Sequence, residues 1–301
     1  MNQFILALFF SAIACYAQGQ ITLELDTPGV NTPLIFAKNI ISTNSPERDI
    51  AISKNGDEIY YSSGNILFIK RQQDGTWSLP EIASFSVNQQ DIEPAFSADG
   101  QRLYFSRNTG QDNNIYYVER NAGGGWSQAV ALGSSINTDA NEFYPSLAED
   151  GSLYYTANYP SGLGGEDIWY AKFENGSFQA SVPVFGVSEA TDEFNAYVSP
   201  DESVMFFGSF GRDDGQGGGD IYVSRSSSGN WSSGINVSSV NTSSLDFSPF
   251  LSSDGRFLFF TSRRAPEGAE TASSNIFDVG AVMNRLIEPQ SEGGDIYWIA
   301  R

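Results

Sequence analysis

The chain of 301 residues contains no histidine and a single cysteine, Cys15. Without histidine there is no Ser-His-Asp or Cys-His nucleophile system, and the commonest zinc ligand sets are missing as well. The lone thiol lies in the apolar first 17 residues, so cleavage after them leaves a chain in which disulfides play no part. Positive charge is scarce: 16 Lys and Arg stand against 36 Asp and Glu, a formal net charge of −20. Such a chain repels nucleic acid and anionic lipid, and a cationic partner or a cation suits it better. Acidity also keeps an exported protein soluble, so charge alone selects no ligand. Beyond the first 17 residues no hydrophobic stretch reaches membrane-spanning length. No glycine run opens a helix in the manner of a P-loop or dinucleotide fingerprint, so no cofactor is expected.

Five variants of one sentence are present. They read DIAISKNGDEIYYSS (49–63), DIEPAFSADGQRLYFSR (91–107), NEFYPSLAEDGSLYYTA (141–157), DEFNAYVSPDESVMFFGS (192–209) and LDFSPFLSSDGRFLFFTS (245–262). Ser53, Ser97, Ala148, Ser199 and Ser252 anchor them at spacings of 44, 51, 51 and 53 residues. Several short strands in a unit of that length mark a propeller blade. After each anchor comes a turn pair, Asn55-Gly56, Asp99-Gly100, Asp150-Gly151, Asp201-Glu202 or Asp254-Gly255. Asn-Gly and Asp-Gly supply the positive φ of a tight hairpin, so Glu202 predicts a wider or strained turn in the fourth copy.

Next is an aromatic pair: Tyr60-Tyr61, Tyr104-Phe105, Tyr154-Tyr155, Phe206-Phe207 and Phe259-Phe260. Both faces of that strand are then apolar, as where each sheet packs against a neighbour on either side. A third strand follows (NILFIKR, NIYYVER, DIWYAKF, DIYVSRS, DIYWIAR), and a fourth is expected to open on Trp77, Trp126, Phe178 or Trp231. The fifth copy stops at Arg301 after its third strand. Residues 33–47 align with 128–142, the fourth strand and exit loop of the second copy, so the N-terminal segment is expected to complete the last blade. Closing the ring removes a sheet edge that would otherwise pair with other chains. The expectation is an all-β, five-bladed propeller of four-stranded antiparallel blades, in one domain spanning residues 18–301 and monomeric.

Residues 1–17 read as a secretory signal peptide: an apolar run, then small residues, with a cut after Ala17. An alternative is lipid attachment at Cys15, since Ala12-Ile13-Ala14-Cys15 loosely fits a lipobox. Either way the protein is expected to be exported, to the periplasm, the cell surface or the medium.

In order, the acidic residue, Pro, Ser-x-Asp-Gly, aromatic pair, Asp-Ile-Tyr and Trp resemble the WD40-like repeat of the TolB type, found in bacterial envelope proteins. The resemblance spans 33–301 and implies a propeller that works through protein contacts in the envelope. Propellers of that type usually have six blades; five anchors are present here. Some relatives carry a peptidoglycan-binding domain that this chain lacks, and others are peptidases or lyases, so the resemblance does not fix function.

In a four-stranded antiparallel blade the loops between strands two and three share one face with the links between blades. Three features gather there: a ring of acids six residues before each anchor (Glu47, Asp91, Glu142, Glu193, Asp246), glycine-rich loops at 161–166 and 212–219, and an insertion at about 263–293. Asp49 and Glu93 add acidity in two copies, while Tyr144, Asn195 and Ser248 stand at that place elsewhere. One reading has each acid accept backbone N–H bonds and fix one blade against the next. The other places a cation, Ca2+ being the natural choice for oxygen ligands, near the central channel. Arg48, Arg107, Arg212, Arg263 and Arg264 are expected on the same face, either paired internally or free to anchor a partner. The expected function is a non-catalytic interaction module for an envelope protein or glycan. The alternative is a carbohydrate-binding or glycoside-hydrolysing propeller, which needs two carboxyls in unlike environments around the channel.

Overall fold

The computed structural model describes residues 20–300 except 24, 26, 27, 30, 31, 88, 89, 190, 228 and 266–293. The expected leader, Cys15 and nearly all of the expected insertion, including 276–289, lie outside the described residues. Among the described residues there is no α-helix, and none long and apolar enough to cross a membrane.

Five antiparallel sheets form the blades of a propeller. Blade one comprises Arg48–Ile52, Glu58–Ser63, Asn65–Lys70 and Glu81–Ile82. Blade two comprises Asp91–Phe96, Arg102–Asn108, Asn113–Glu119 and Val130–Ala131. Blade three comprises Glu142–Leu147, Leu153–Ala157, Asp167–Ala171 and Val182–Pro183. Blade four comprises Asp192–Val198, Val204–Phe210, Asp220–Ser227 and Ile235–Asn236. Blade five takes Asp246–Leu251, Phe257–Ser262 and Asp295–Ala300 from the end of the chain and Leu34–Ile35 from its start. Leu34 lies opposite Trp298 and Ile35 opposite Tyr297, so the N-terminal strand closes the ring.

The aromatic pairs explain how the blades hold together. The first ring of each pair faces the next blade and the second faces the preceding one, because successive side chains on a strand point to opposite faces. Tyr60 joins the core between blades one and two, and Tyr61 the core between five and one. Tyr104 and Phe105, Tyr154 and Tyr155, Phe206 and Phe207, and Phe259 and Phe260 divide in the same way. Five apolar clusters result, one at each junction. No single blade buries enough on its own, so stability is shared around the ring.

One expectation needs correction and another is narrowed. Trp77, Trp126, Phe178 and Trp231 do not open the fourth strand; they pair with the far end of strand three, and the outer ladder begins four residues later. Leaving the ladder lets two of these rings reach the preceding blade. Trp126 meets Tyr60 and donates its indole N–H to the phenol at 2.9 Å, and Trp231 meets Tyr154 edge-on. In blade four the hairpin keeps the common length, and of the two outcomes expected at Glu202 it is the strained one. Glu202 takes the glycine place with φ 53°, and the Tyr154 hydroxyl donates to its carboxylate at 2.7 Å.

Every inner strand carries the same bulge. The register shifts between Arg48 and Ala51, Ile92 and Ala95, Phe143 and Ser146, Phe194 and Tyr197, and Phe247 and Phe250. Within it Asp49, Glu93, Tyr144, Asn195 and Ser248 all adopt positive φ, between 51° and 63°. Pro94, Pro145 and Pro249 follow directly, where the ladder bond is already lost. Four of the bulge N–H groups donate to a hydroxyl on the preceding blade: Asp49 to Thr261, Glu93 to Ser62, Tyr144 to Ser106 and Asn195 to Thr156.

Candidate binding site in the central channel

Each inner strand starts at the face of the inter-blade links, carries its bulge midway and ends at the Ser-x-Asp-Gly turn on the opposite face. The acids expected to form a ring lie at the start of these strands. Glu47, Asp91, Glu142, Glu193 and Asp246 are all buried, at most 3 % exposed. They do not converge. Each is held in a niche of its own, and among the described residues no three acids cluster so as to hold a metal.

The niches explain why a carboxylate recurs. Thr43 donates its N–H and hydroxyl to Glu47, Thr138 does the same for Glu142, and Thr242 for Asp246. Glu193 accepts from the N–H of Glu189 and the hydroxyl of Thr191. These bonds fold the link from the previous blade back upon itself. Burial nevertheless pushes the Glu47 and Glu142 carboxyls above the ordinary value, with the threonine bonds opposing it.

The expected cations divide. Arg107 grips Asp91 with two bonds of 2.6 and 2.9 Å and donates to the carbonyl of Phe85, in the exit of blade one. Arg212 bonds Glu193 at 3.0 Å and the carbonyl of Val187, in the exit of blade three. Arg264 bonds Asp246 at 2.7 Å and the carbonyl of Val240, in the exit of blade four. Each guanidinium also lies over the second ring of the aromatic pair and over the strand-three tyrosine of its blade. Of the two roles open to these three arginines, the geometry gives them the internal one: they staple neighbouring blades. In blade three Tyr159 fills the same slot, packing on Tyr155 and Trp169 and donating to the carbonyl of Ile136. Arg263 is exposed at the end of strand two of blade five.

Asp49 and Glu93 are the acids that do meet, at the bulges. Arg48 lies between them, with Nε 2.6 Å from Asp49 and Nη2 3.0 Å from Glu93. The Tyr144 N–H donates to the second oxygen of Glu93 at 2.9 Å. Around the channel, Asn195 donates to Ser248, Ser248 donates to Asp49, and the Tyr144 hydroxyl reaches the carbonyl of Pro249. Contacts between blades one, two, three, four and five at one level mean that these side chains converge on the axis. Asp49, Glu93, Tyr144, Asn195 and Ser248 are all less than a tenth exposed. Two carboxylates share one guanidinium here. Burial, reinforced by Asp49 and opposed by Arg48, pushes Glu93 up to about 7.

Below this constriction the channel widens into a funnel of about 530 Å3 that opens on the turn face. Ile50, Ile52, Phe96, Leu147, Tyr197 and Phe250 form its wall, Glu93 and Tyr144 its floor, and Lys54, Glu149, Asp201, Arg225 and Asp254 its rim. A mostly apolar concavity with a few polar groups at its base is the usual form of a binding site. The funnel lies at the end of the propeller opposite the expected binding face. Its signal in the sequence was the set of apolar inner-strand residues after each bulge, although these also pack against the aromatic pairs between blades.

The fold and this channel define the class: a five-bladed β-propeller with a constricted axis and one open funnel. No protein-family model and no curated protein matches the chain. Among solved structures it is similar to a putative TolB from Agrobacterium tumefaciens, with a TM-score of 0.51 and 18% identity over 78% of this chain and 73% of that one. It is also similar to TolB from Acinetobacter baumannii, with a TM-score of 0.49 and 18% identity over 73% of this chain and 49% of that one. The chain thus spans about half the length of the Acinetobacter protein. An α-L-arabinofuranosidase from Podospora anserina, solved with cellotriose, matches at a TM-score of 0.46 and 11% identity over 87% of this chain and 91% of that one. At these identities the likeness is one of fold.

Proposed function

We propose that this chain is a non-catalytic, exported interaction module that takes an extended segment of a partner protein into the central funnel from the turn face. The observation that carries the reading is the contrast between the two ends of the channel. At the link face the carboxylates and three of the arginines are engaged in holding blades together. At the turn face an apolar wall stands open to solvent, and apolar surface gathered in a concavity is what a partner's side chains bury most profitably. The net charge of −20 favours a cationic segment and speeds its arrival.

Hydrolysis of a glycan is the weaker reading. Of the bulge carboxylates only Glu93 lines the funnel, and both of its oxygens already accept hydrogen bonds. The other acids are at the rim, which does not give the facing pair, one protonated and one ionised, that the chemistry requires.

Site-specific photocrosslinking tests this. A photoreactive side chain at Ser253, on the funnel rim, is expected to give a specific adduct, and one at Leu163, on the opposite face, none. The adduct is expected to vanish when Ala98→Trp, at a half-buried position lining the funnel, narrows it. An adduct from Leu163 alone, or one indifferent to Ala98→Trp, refutes the proposed face.

A further inference from the structure

The constriction carries an electrostatic imbalance that the internal hydrogen bonds leave uncorrected. Arg48, about a quarter exposed, brings one positive charge, and Asp49 and Glu93, both almost wholly buried, bring two negative ones. The remaining groups that face Glu93 are neutral: Ser62 and Ser106 on the second strands of blades one and two, and Tyr144 on the inner strand of blade three. The inner strands of blades four and five bring Asn195 and Ser248, neutral as well. A buried excess charge is costly and is relieved either by taking up a proton or by gaining a counter-charge. Asp49 does not line the funnel, whereas Glu93 does.

We infer that the funnel is a receptor for a cationic side chain, a lysine or arginine of the partner segment, whose charged tip reaches Glu93 while its alkyl stem lies along the apolar wall. This rests on the function proposed above and specifies the chemistry that the funnel reads. A long basic side chain is apolar along its stem and charged at its end, which matches a cavity with Ile50, Leu147 and Phe250 on its side and a carboxylate at its base. The Glu93 carboxylate is bonded by Arg48, by the Tyr144 N–H and by the Ser106 hydroxyl, and its two oxygens together keep accepting capacity for one further donor. Burial raises Glu93 to about 7 against the pull of Arg48, with Asp49 adding to the rise, and a second cation beside it would oppose that displacement.

Three probes of the same shape separate charge from greasiness: 4-phenylbutylammonium, 4-phenylbutanol and 4-phenylbutanoate, titrated calorimetrically into the whole protein. At about pH 8, where Glu93 is ionised, the ammonium is expected to bind roughly tenfold or more tightly than the alcohol, and the carboxylate most weakly. Lowering the pH to about 5.5, where Glu93 is protonated, brings ammonium and alcohol to within about twofold in the wild type itself. Glu93→Gln does the same at the higher pH, and the wild-type pH series decides the matter if that variant fails to fold. Equal binding of ammonium and alcohol at both pH values, or no binding of the ammonium, overturns the inference. If the Ser253 adduct still depends on an open funnel, the proposed function survives that failure. If the adduct ignores Ala98→Trp, the function itself has failed.

Discussion

Replacing Arg212 by leucine separates a structural arginine from one kept for a partner. The Arg212 side chain is 8% exposed and Glu193 0%. Its Nη2 donates to Glu193 at 3.0 Å and to the carbonyl of Val187 at 2.8 Å, its Nε donates to Ser209 at 2.9 Å, and it lies over Phe207 and Tyr222. Removing one partner of a buried pair costs about 3–5 kcal/mol, because the other charge stays buried without it. Glu193 would keep three donors, from Glu189, Thr191 and Ser209, which places the loss near the lower end. The Val187 carbonyl, left without its donor, adds about 1 kcal/mol. The pair with the half-exposed Glu189 is screened by solvent and contributes little.

The sum is about 4 kcal/mol, which in a domain of this size lowers Tm by roughly 8 °C. Differential scanning calorimetry of the wild type and Arg212→Leu measures it. A double-mutant cycle with Glu193→Gln should return a coupling of about 1–3 kcal/mol. Arg212→Lys should recover little, because an ammonium cannot reach acid, hydroxyl and carbonyl with one rigid fork. A melting temperature for Arg212→Leu within about 1 °C of the wild type would refute the staple and return this arginine to the surface chemistry of the link face.

Arg263→Glu and Arg264→Glu, made singly, should differ: the first is exposed and should leave melting unchanged, whereas the second sets a carboxylate against buried Asp246 and should lower Tm by several degrees in the same scan. Phe36→Ala should cost about 3–5 kcal/mol in urea denaturation, because the ring is buried edge-on against Phe259 and Trp298 where the ring closes. Deleting residues 30–42 removes that strand and bares the edge of Asp295–Ala300, so light scattering should report association. Stability should also fall as pH rises from about 5 to 8. Burial raises Glu93 from the 4.5 of an exposed glutamate to about 7, so its contribution is complete below the lower value and lost as pH passes through the upper one. Asp295, pushed up to about 7 chiefly by burial, acts in the same direction. Glu93→Gln should flatten the pH dependence of urea midpoints in part, and an unaltered slope would show that Glu93 titrates normally in the folded chain.

What could be read from the sequence was whatever recurs at fixed spacing within one blade. The turn pair, the aromatic pair and the strand-three motif are local, so five variants reinforce one another and the count of blades follows. Closure was legible because residues 33–47 repeat the pattern of 128–142, and Leu34–Ile35 lies where that alignment puts it. The roles of the acids were harder, because their partners do not recur at one spacing. Arg107 follows Asp91 by 16 residues, Arg264 follows Asp246 by 18 and Arg212 follows Glu193 by 19. The loop between strands two and three absorbs the difference, and in blade three a tyrosine serves instead. A single sequence gives no reason to equate Tyr159 with three arginines.

The funnel was hidden for a different reason. It exists because each inner strand bulges midway, and the bulge depends on a residue at positive φ. That conformation is ordinarily signalled by glycine or asparagine. Here the five residues are Asp49, Glu93, Tyr144, Asn195 and Ser248, of which only Asp49 and Asn195 are of types enriched there. Holding the other three in the left-handed region carries a cost in blades two, three and five. What offsets it is visible at the axis: the bulge turns these five residues inward, where side chains, the Tyr144 N–H and the Arg48 guanidinium link them across the channel and close it at one level. A strand without the bulge would carry its ladder straight through, and the residues after it would fall on the other face of the sheet. The bulge therefore does two things at once. It builds the constriction that traps two carboxylates with one arginine, and it sets Ile50, Leu147, Tyr197 and Phe250 around the space beneath. The charge at the floor and the apolar wall above it are consequences of one backbone feature, which is why neither was evident from residues taken singly.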